Sequence, residues 1–315
     1  MQQILTLTTP LYLIIALGYL AVRFGVFEKA QMGVFGRFLL LVILPALVFR
    51  AIAQHPLAEV LNFHYFAVYA LASLLAHGLG FAYARWFAGK SRAEAALYGM
   101  GMGTSNSVFV GYPIIEQLIG APAGIALALC LLVENLIMIP LTLVLGDSRE
   151  DLPWQRALWH SLKSLVRNPI FIGILAGLAC SASGLVLPRP LERTLQLISN
   201  GAAVVALFMI GGVLVGRRIE GWGKGLSVIA VGKLLIHPLL VLLLLMVLPP
   251  FDLALQSAAL LFACMPMPSV YPAIASRYGF DGFCAAALVL VTVVSFFSIN
   301  VWLTVQSDVM RWVGS

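Results

Sequence analysis

Two stretches of this chain place hydrogen-bonding side chains and helix-breaking residues inside apolar runs. Residues 104–120 read TSNSVFVGYPIIEQLIG and residues 264–279 read CMPMPSVYPAIASRYG. Proline is favoured in the first turn of a helix, where its missing N–H is no loss, so Gly111-Tyr112-Pro113 and Val270-Tyr271-Pro272 read as helix restarts. A helix start exposes unpaired N–H groups and about half a positive charge, which favours an anion. Ser105, Asn106, Ser107 and Ser269 supply neutral hydrogen-bonding groups, Met265, Pro266 and Pro268 lie in the second interruption, and neither 104–113 nor 264–272 carries an Asp or Glu that would repel a carboxylate. The same polar groups could instead satisfy a loosened backbone, and Tyr112 and Tyr271 could either flank an organic substrate or pack beside Pro113 and Pro272.

Two further residues are costly where they stand. Glu134 falls near the middle of an apolar run, and Lys233 and His237 lie four residues apart, on one helical face, in another. Lys233 is the nearest basic candidate to Glu134 by depth. The two could pair or alternate in protonation, coupling a proton or sodium ion to substrate movement, or form a static pair completed by Asn135 and His237. His77 reads either as an interhelical hydrogen bond or as a proton relay. No HExxH, GxSxG or paired Asp marks an intramembrane enzyme, and Cys130, Cys180, Cys264 and Cys284 show no metal-ligand spacing, so no metal is expected.

The elements that must position these groups are membrane helices. With 61% hydrophobic and 10% charged residues over 315, the chain falls far below the roughly 25% charged of a soluble domain. A bilayer core takes about 20 residues of helix, and ten such spans can be placed: 4–22, 30–53, 62–87, an interrupted fourth from 92 through the first break, 122–145, 169–184, 191–216, 225–248, 253–276 and 283–305. Pro45 should kink the second. Gly99, Gly101 and Gly103 lack the strand and the Lys-Ser/Thr of a phosphate loop and read as close helix packing; Gly173/Gly177 and Gly212/Gly216 are weaker signals of the same kind. The connection 146–167 places Trp154, Leu158, Leu162 and Leu165 on one face, as in a helix lying on the inner membrane surface.

Tyr112-Pro113 and Tyr271-Pro272 stand 159 residues apart, and Gly120 and Gly279 keep the same offset. This predicts a duplication, 1–145 and 168–315, of five spans each. An odd number of spans inverts the second copy, a construction used by secondary transporters with discontinuous helices. Thirteen of the nineteen Lys and Arg fall in the odd-numbered connections, which should therefore face the cytoplasm, with both termini outside. The net charge of +6 thus marks topology, and no nucleic-acid partner is implied. No basic region or cleavage site precedes the first apolar run, so it reads as a retained span rather than a signal peptide.

The run 106–113, NSVFVGYP, resembles the Asn-x-x-x-x-Gly-x-Pro element of auxin efflux carrier family transporters, MPMPSVYPAIASRYG resembles their ninth span, and FGRFLLLVILPALVF their second. The resemblance implies an all-α membrane fold of ten helices, a 5+5 inverted repeat with two crossed broken helices at spans 4 and 9, as in bile-acid symporters and sodium/proton antiporters. Spans 1, 2, 6 and 7 would form a scaffold and spans 3–5 and 8–10 a transport unit, in a homodimer. It maps Asn106, Gly111 and Pro113 onto the first crossover and Pro266, Pro268 and Pro272 onto the second. Compact members look like bacterial inner-membrane permeases for small carboxylates such as malate or malonate. Auxin-like aromatic acids stay open beside them, and Tyr112 departs from the smaller aliphatic residue of many relatives, which leaves the substrate's identity open. The competing readings are a sodium/proton antiporter or ion-coupled symporter of this fold using Glu134 and Lys233, and a non-transporting receptor. No cofactor is expected beyond a coupled proton or sodium ion.

Overall fold

In hydrocarbon a backbone must satisfy its own hydrogen bonds, and the apolar runs accordingly fold as helices. The computed structural model describes residues 2–147, 167–216 and 223–313, and it contains no strand among them. Apart from a single turn at Leu57–Val60, the α-helices among the described residues are α1 (Gln2–Arg23), α2 (Lys29–Ala53), α3 (Phe63–Phe87), α4 (Arg92–Gly103), α5 (Tyr112–Ile119), α6 (Pro122–Gly146), α7 (Pro169–Ser183), α8 (Arg189–Leu214), α9 (Lys224–Val247), α10 (Leu253–Cys264), α11 (Tyr271–Ala275) and α12 (Asp281–Val313). Six of them, α2, α3, α6, α8, α9 and α12, are long and apolar enough to cross a membrane. The surface connection expected over 146–167, with Trp154, Leu158, Leu162 and Leu165, lies largely outside the described residues.

Wide turns, in which an N–H reaches back five residues instead of four, recur in these helices. Leu44 N–H donates to Leu39 O, Ile139 to Glu134 O and His237 to Gly232 O. Each is followed by a proline (Pro45, Pro140, Pro238), and the wide turn at Ser107–Gly111 likewise precedes Tyr112-Pro113. Proline has no N–H to give the carbonyl four residues back, and its ring clashes with that carbonyl; widening the preceding turn relieves the clash. The freed acceptor then needs another donor. Leu234 O, four residues before Pro238, takes the indole N–H of Trp302 at 2.9 Å. Trp302→Phe keeps the packing and removes this donor, so its thermal midpoint should report a loss of about 1–3 kcal/mol.

The chain divides into two units. The first comprises Met1–Asn62, Val108–Leu129 and Ser164–Arg217. Its helices touch backbone to backbone through glycine: a methyl on Gly173 would come within 2.7 Å of Pro45 O, and one on Gly177 within 3.0 Å of Phe49 O. The small-xxx-small spacing at 173 and 177 is thus a true α2–α7 contact. The second unit comprises Phe63–Ser107, Cys130–Lys163 and Arg218–Ser315. Its core joins Leu97, Tyr98 and Met100 of α4 to Ile229 of α9, Tyr271 of α11 and Cys284 and Val291 of α12. Gly99 and Gly103 let α4 lie against His77 and the Ser73 carbonyl of α3, and Gly101 makes room for Tyr271, so the three glycines serve packing.

Candidate functional site: two helix breaks around a buried carboxylate and lysine

α4 stops where the polar residues begin. Thr104 turns extended (φ −118°, ψ 154°), its hydroxyl folding back onto Met100 O at 2.7 Å. Helical structure resumes at Ser107, in the wide turn that Pro113 imposes, and Gly111 is itself helical (φ −66°, ψ −57°). The restart is therefore four residues earlier than the Gly-Tyr-Pro motif suggests, and the amides at the break belong to Ser105 and Asn106. α10 stops likewise at Met265 (φ −72°, ψ 153°), and chain direction recovers at Tyr271. This second restart is short: α11 passes after Ala275 into a tight turn over Ser276–Tyr278 and ends at Gly279, whose φ of +78° suits glycine.

The two breaks are bonded to each other within the second unit. Asn106 N–H donates to Pro266 O at 2.6 Å, and the Asn106 amide donates to Ser269 Oγ at 3.3 Å. Thr104, Ser105, Asn106 and Ser107 are buried, as are Met265 and Met267, whereas Ser269 is exposed.

The Ser105 amide faces a carboxylate of the protein. Glu134, 6% exposed on α6, accepts Ser105 N–H at 2.8 Å and Ser107 O–H at 2.9 Å through Oε1. A carboxylate at the start of a helical segment is held by charge-assisted bonds and by the helix dipole. On the other side, Lys233, with no exposed surface, donates from Nζ to Ser105 Oγ at 2.7 Å and to His237 Nδ1 at 2.8 Å. An ammonium has only donors, so Nδ1 is the acceptor and Nε2–H is left to donate to Ser73 Oγ at 3.1 Å. Glu134 and Lys233 thus share Ser105, its N–H serving one and its Oγ the other, and among the described residues they form no direct ion pair. Tyr69 completes the cluster, its hydroxyl 3.0 Å from Ser105 Oγ and 3.5 Å from Glu134 Oε1.

Other expected residues stand elsewhere. Asn135 donates back to Leu131 O at 2.8 Å on its own helix and does not join Glu134. Tyr271 is fully buried, its hydroxyl on Leu97 O at 2.9 Å. Gly111, Tyr112 and Pro113 belong to the first unit, where Tyr112 donates to Glu116 Oε1 at 2.7 Å. Pro268 and Pro272 bracket the second restart, and Pro268 O accepts Tyr271 N–H at 3.0 Å. His77 lies 3.4 Å from Thr142 Oγ1, whose proton goes to Met138 O, so Nε2–H is the donor in an interhelical bond. Tyr69 and Ser73 escaped sequence reading; their i, i+4 spacing on one face of α3, with His77 a further turn on, was the signal available.

The chain belongs to the membrane transport protein family, whose model matches residues 3–303; this is the auxin efflux carrier family that the motifs resemble. Among its relatives, a Rhizobium meliloti (strain 1021) protein provisionally named a malonate transporter is 25% identical over 295 residues, 93% of this chain and 92% of the relative. The Escherichia coli (strain K12) protein named "Uncharacterized transporter YfdV" is 24% identical over 247 residues, 74% of this chain and 76% of that one. The protein is an integral membrane transporter.

Proposed function

We propose that the protein is a secondary carrier for a small organic anion, a carboxylate of the malonate or malate type, bound where the two helix breaks meet. The observation that carries this reading is the pairing of the breaks through Asn106, with a buried lysine and a cluster of hydroxyls and amides beside them. Such a surface is poor in negative charge apart from Glu134 and offers neutral donors, which suits a carboxylate. The name given to the Rhizobium meliloti relative agrees with the substrate class. In this reading the ten spans form two inverted five-helix repeats whose broken helices cross. Spans 1, 2, 6 and 7 hold still while spans 3–5 and 8–10 carry the anion across in an elevator movement. The carrier is a homodimer of the bacterial inner membrane, its odd-numbered connections cytoplasmic and its termini periplasmic.

Purified protein should gain thermal stability from malonate or a related dicarboxylate, and proteoliposomes should take the same anion up; absence of both for every dicarboxylate and aromatic acid tested refutes the reading. Asn106→Ala should weaken uptake by about tenfold, the worth of one hydrogen bond of roughly 1.4 kcal/mol. A second reading, a proton- or sodium-coupled carrier or antiporter, is favoured by the shared contact of Glu134 and Lys233 with Ser105. Glu134→Gln should then abolish the pH or sodium dependence of flux, and an unchanged dependence removes the coupling role.

A further inference from the structure

Ser105 and Tyr69 stand between the buried cation and the buried carboxylate with hydroxyl groups in series. Lys233 Nζ is 2.7 Å from Ser105 Oγ, Ser105 Oγ is 3.0 Å from Tyr69 OH, and Tyr69 OH is 3.5 Å from Glu134 Oε1. We propose that Ser105 and Tyr69 form a proton relay that moves a proton from Lys233 to Glu134 and back, converting the site between a charge-separated and an uncharged state without drawing a proton from water. This deepens the carrier reading and rests on it for its purpose.

The transfer balances. Lys233 gives one ammonium proton to Ser105 Oγ as Ser105 passes its own hydroxyl proton to Tyr69, and the phenol releases its proton to Glu134 Oε1. Lysine becomes an amine, glutamate a carboxylic acid, and both hydroxyls are restored with their bonds reversed. The phenol is the gate. In the resting arrangement the phenol donates to Ser105 Oγ at 3.0 Å. For the transfer its O–H turns toward Glu134 Oε1 and its oxygen accepts from Ser105. The 3.5 Å gap to Glu134 exceeds a made O–H···O bond by about half an ångström, so a small tilt of the ring completes the path. Stacking of Tyr69 on Tyr65, centroids 6.0 Å apart, limits it to small movements.

The other groups facing the cluster do not offer an equivalent route. His237 Nδ1 also meets Lys233, but a proton passed there only moves a positive charge from one buried residue to the next. Cys130 lies beside both Ser107 and Glu134, at 3.1 and 3.7 Å, and its thiol also meets the Tyr69 hydroxyl, so a branch through Cys130 still begins at the phenol. Cys264 returns its proton to Leu260 O on its own helix. Among the described residues, the Ser105–Tyr69 path joins the two opposite charges and cancels both. Carrying two charges through a low-dielectric barrier is costly, and their mutual neutralisation removes that cost.

The test is a temperature jump on the full chain in lipid nanodiscs, followed in the infrared at the carboxylic-acid stretch that Glu134→Gln removes. Wild type should relax in a fast phase. In Tyr69→Phe, and independently in Ser105→Ala, which keeps the Ser105 N–H bond to Glu134, the band should relax about a hundredfold more slowly, as for loss of a positioned proton-transfer group. Relaxation unslowed in either folded variant, or no Glu134 band that responds in wild type, overturns the relay. Dicarboxylate flux is measured on the same preparations. Slowed relaxation without flux in wild type upholds the relay and refutes the carrier reading; flux with unslowed relaxation refutes the relay alone.

Discussion

Lys233→Met should lower the stability of the protein by about 3–5 kcal/mol, because it leaves the Glu134 carboxylate buried with no positive charge near it. Glu134→Leu should cost a similar amount for the mirror reason, since the lysine ammonium is fully enclosed and its remaining partners, Ser105 and His237, are neutral. Combined, the two changes should restore most of the loss, as replacing a buried charge pair by apolar groups of like volume is often neutral or stabilising by about 1–4 kcal/mol. Transport should not return with stability. Thermal midpoints of the four proteins close a double-mutant cycle, and additive losses would show that the two charges are independent despite their common contact with Ser105.

Gly211→Val should be the most disruptive single change in the first unit. A methyl on Gly211 falls onto the Ile15 carbonyl and within 2.8 Å of Tyr19 N, and one on Gly18 falls onto the Phe208 carbonyl. Both walls are main chain, so neither can swing aside, and α1 and α8 must separate. Overpacking of this kind costs about 1–3 kcal/mol, with valine toward or beyond the upper end. Gly33→Ala in α2 is the control, because nothing lies within 4 Å of its added methyl; it should be neutral or stabilise by up to about 1 kcal/mol through helix propensity. Equal melting temperatures for Gly211→Val and wild type would refute the contact.

Much of this site was legible from residue types. The interruptions at Thr104 and Met265, the burial of Glu134 and Lys233 and the contact of His237 with Lys233 followed from polar groups stranded in apolar runs. The exact restart at Ser107 did not, because it depends on a wide turn that Pro113 induces upstream, and a turn of that kind leaves no periodic signature in neighbouring residues. Asn135 illustrates a second limit. Adjacent to Glu134 in sequence, it is rotated about 100° around the helix and bonds its own backbone. Tyr69 was overlooked because an aromatic residue in a membrane helix is ordinary until the fold brings a serine and a carboxylate to its hydroxyl. The long-range bond from Asn106 to Pro266 likewise belongs to tertiary approach, which no local pattern encodes.

The Glu134 carboxylate seated on the Ser105 amide bears on how tightly any ligand can be held. On the carrier reading proposed above, an incoming anion drawn to that amide would find no vacancy; it would have to evict a resident tethered to the chain and always at hand. Its net affinity would then be the difference between two similar carboxylates competing for one donor, with shallow occupancy and quick departure. Quick release is a fault in a receptor and an asset in a molecule that must let go on the far side.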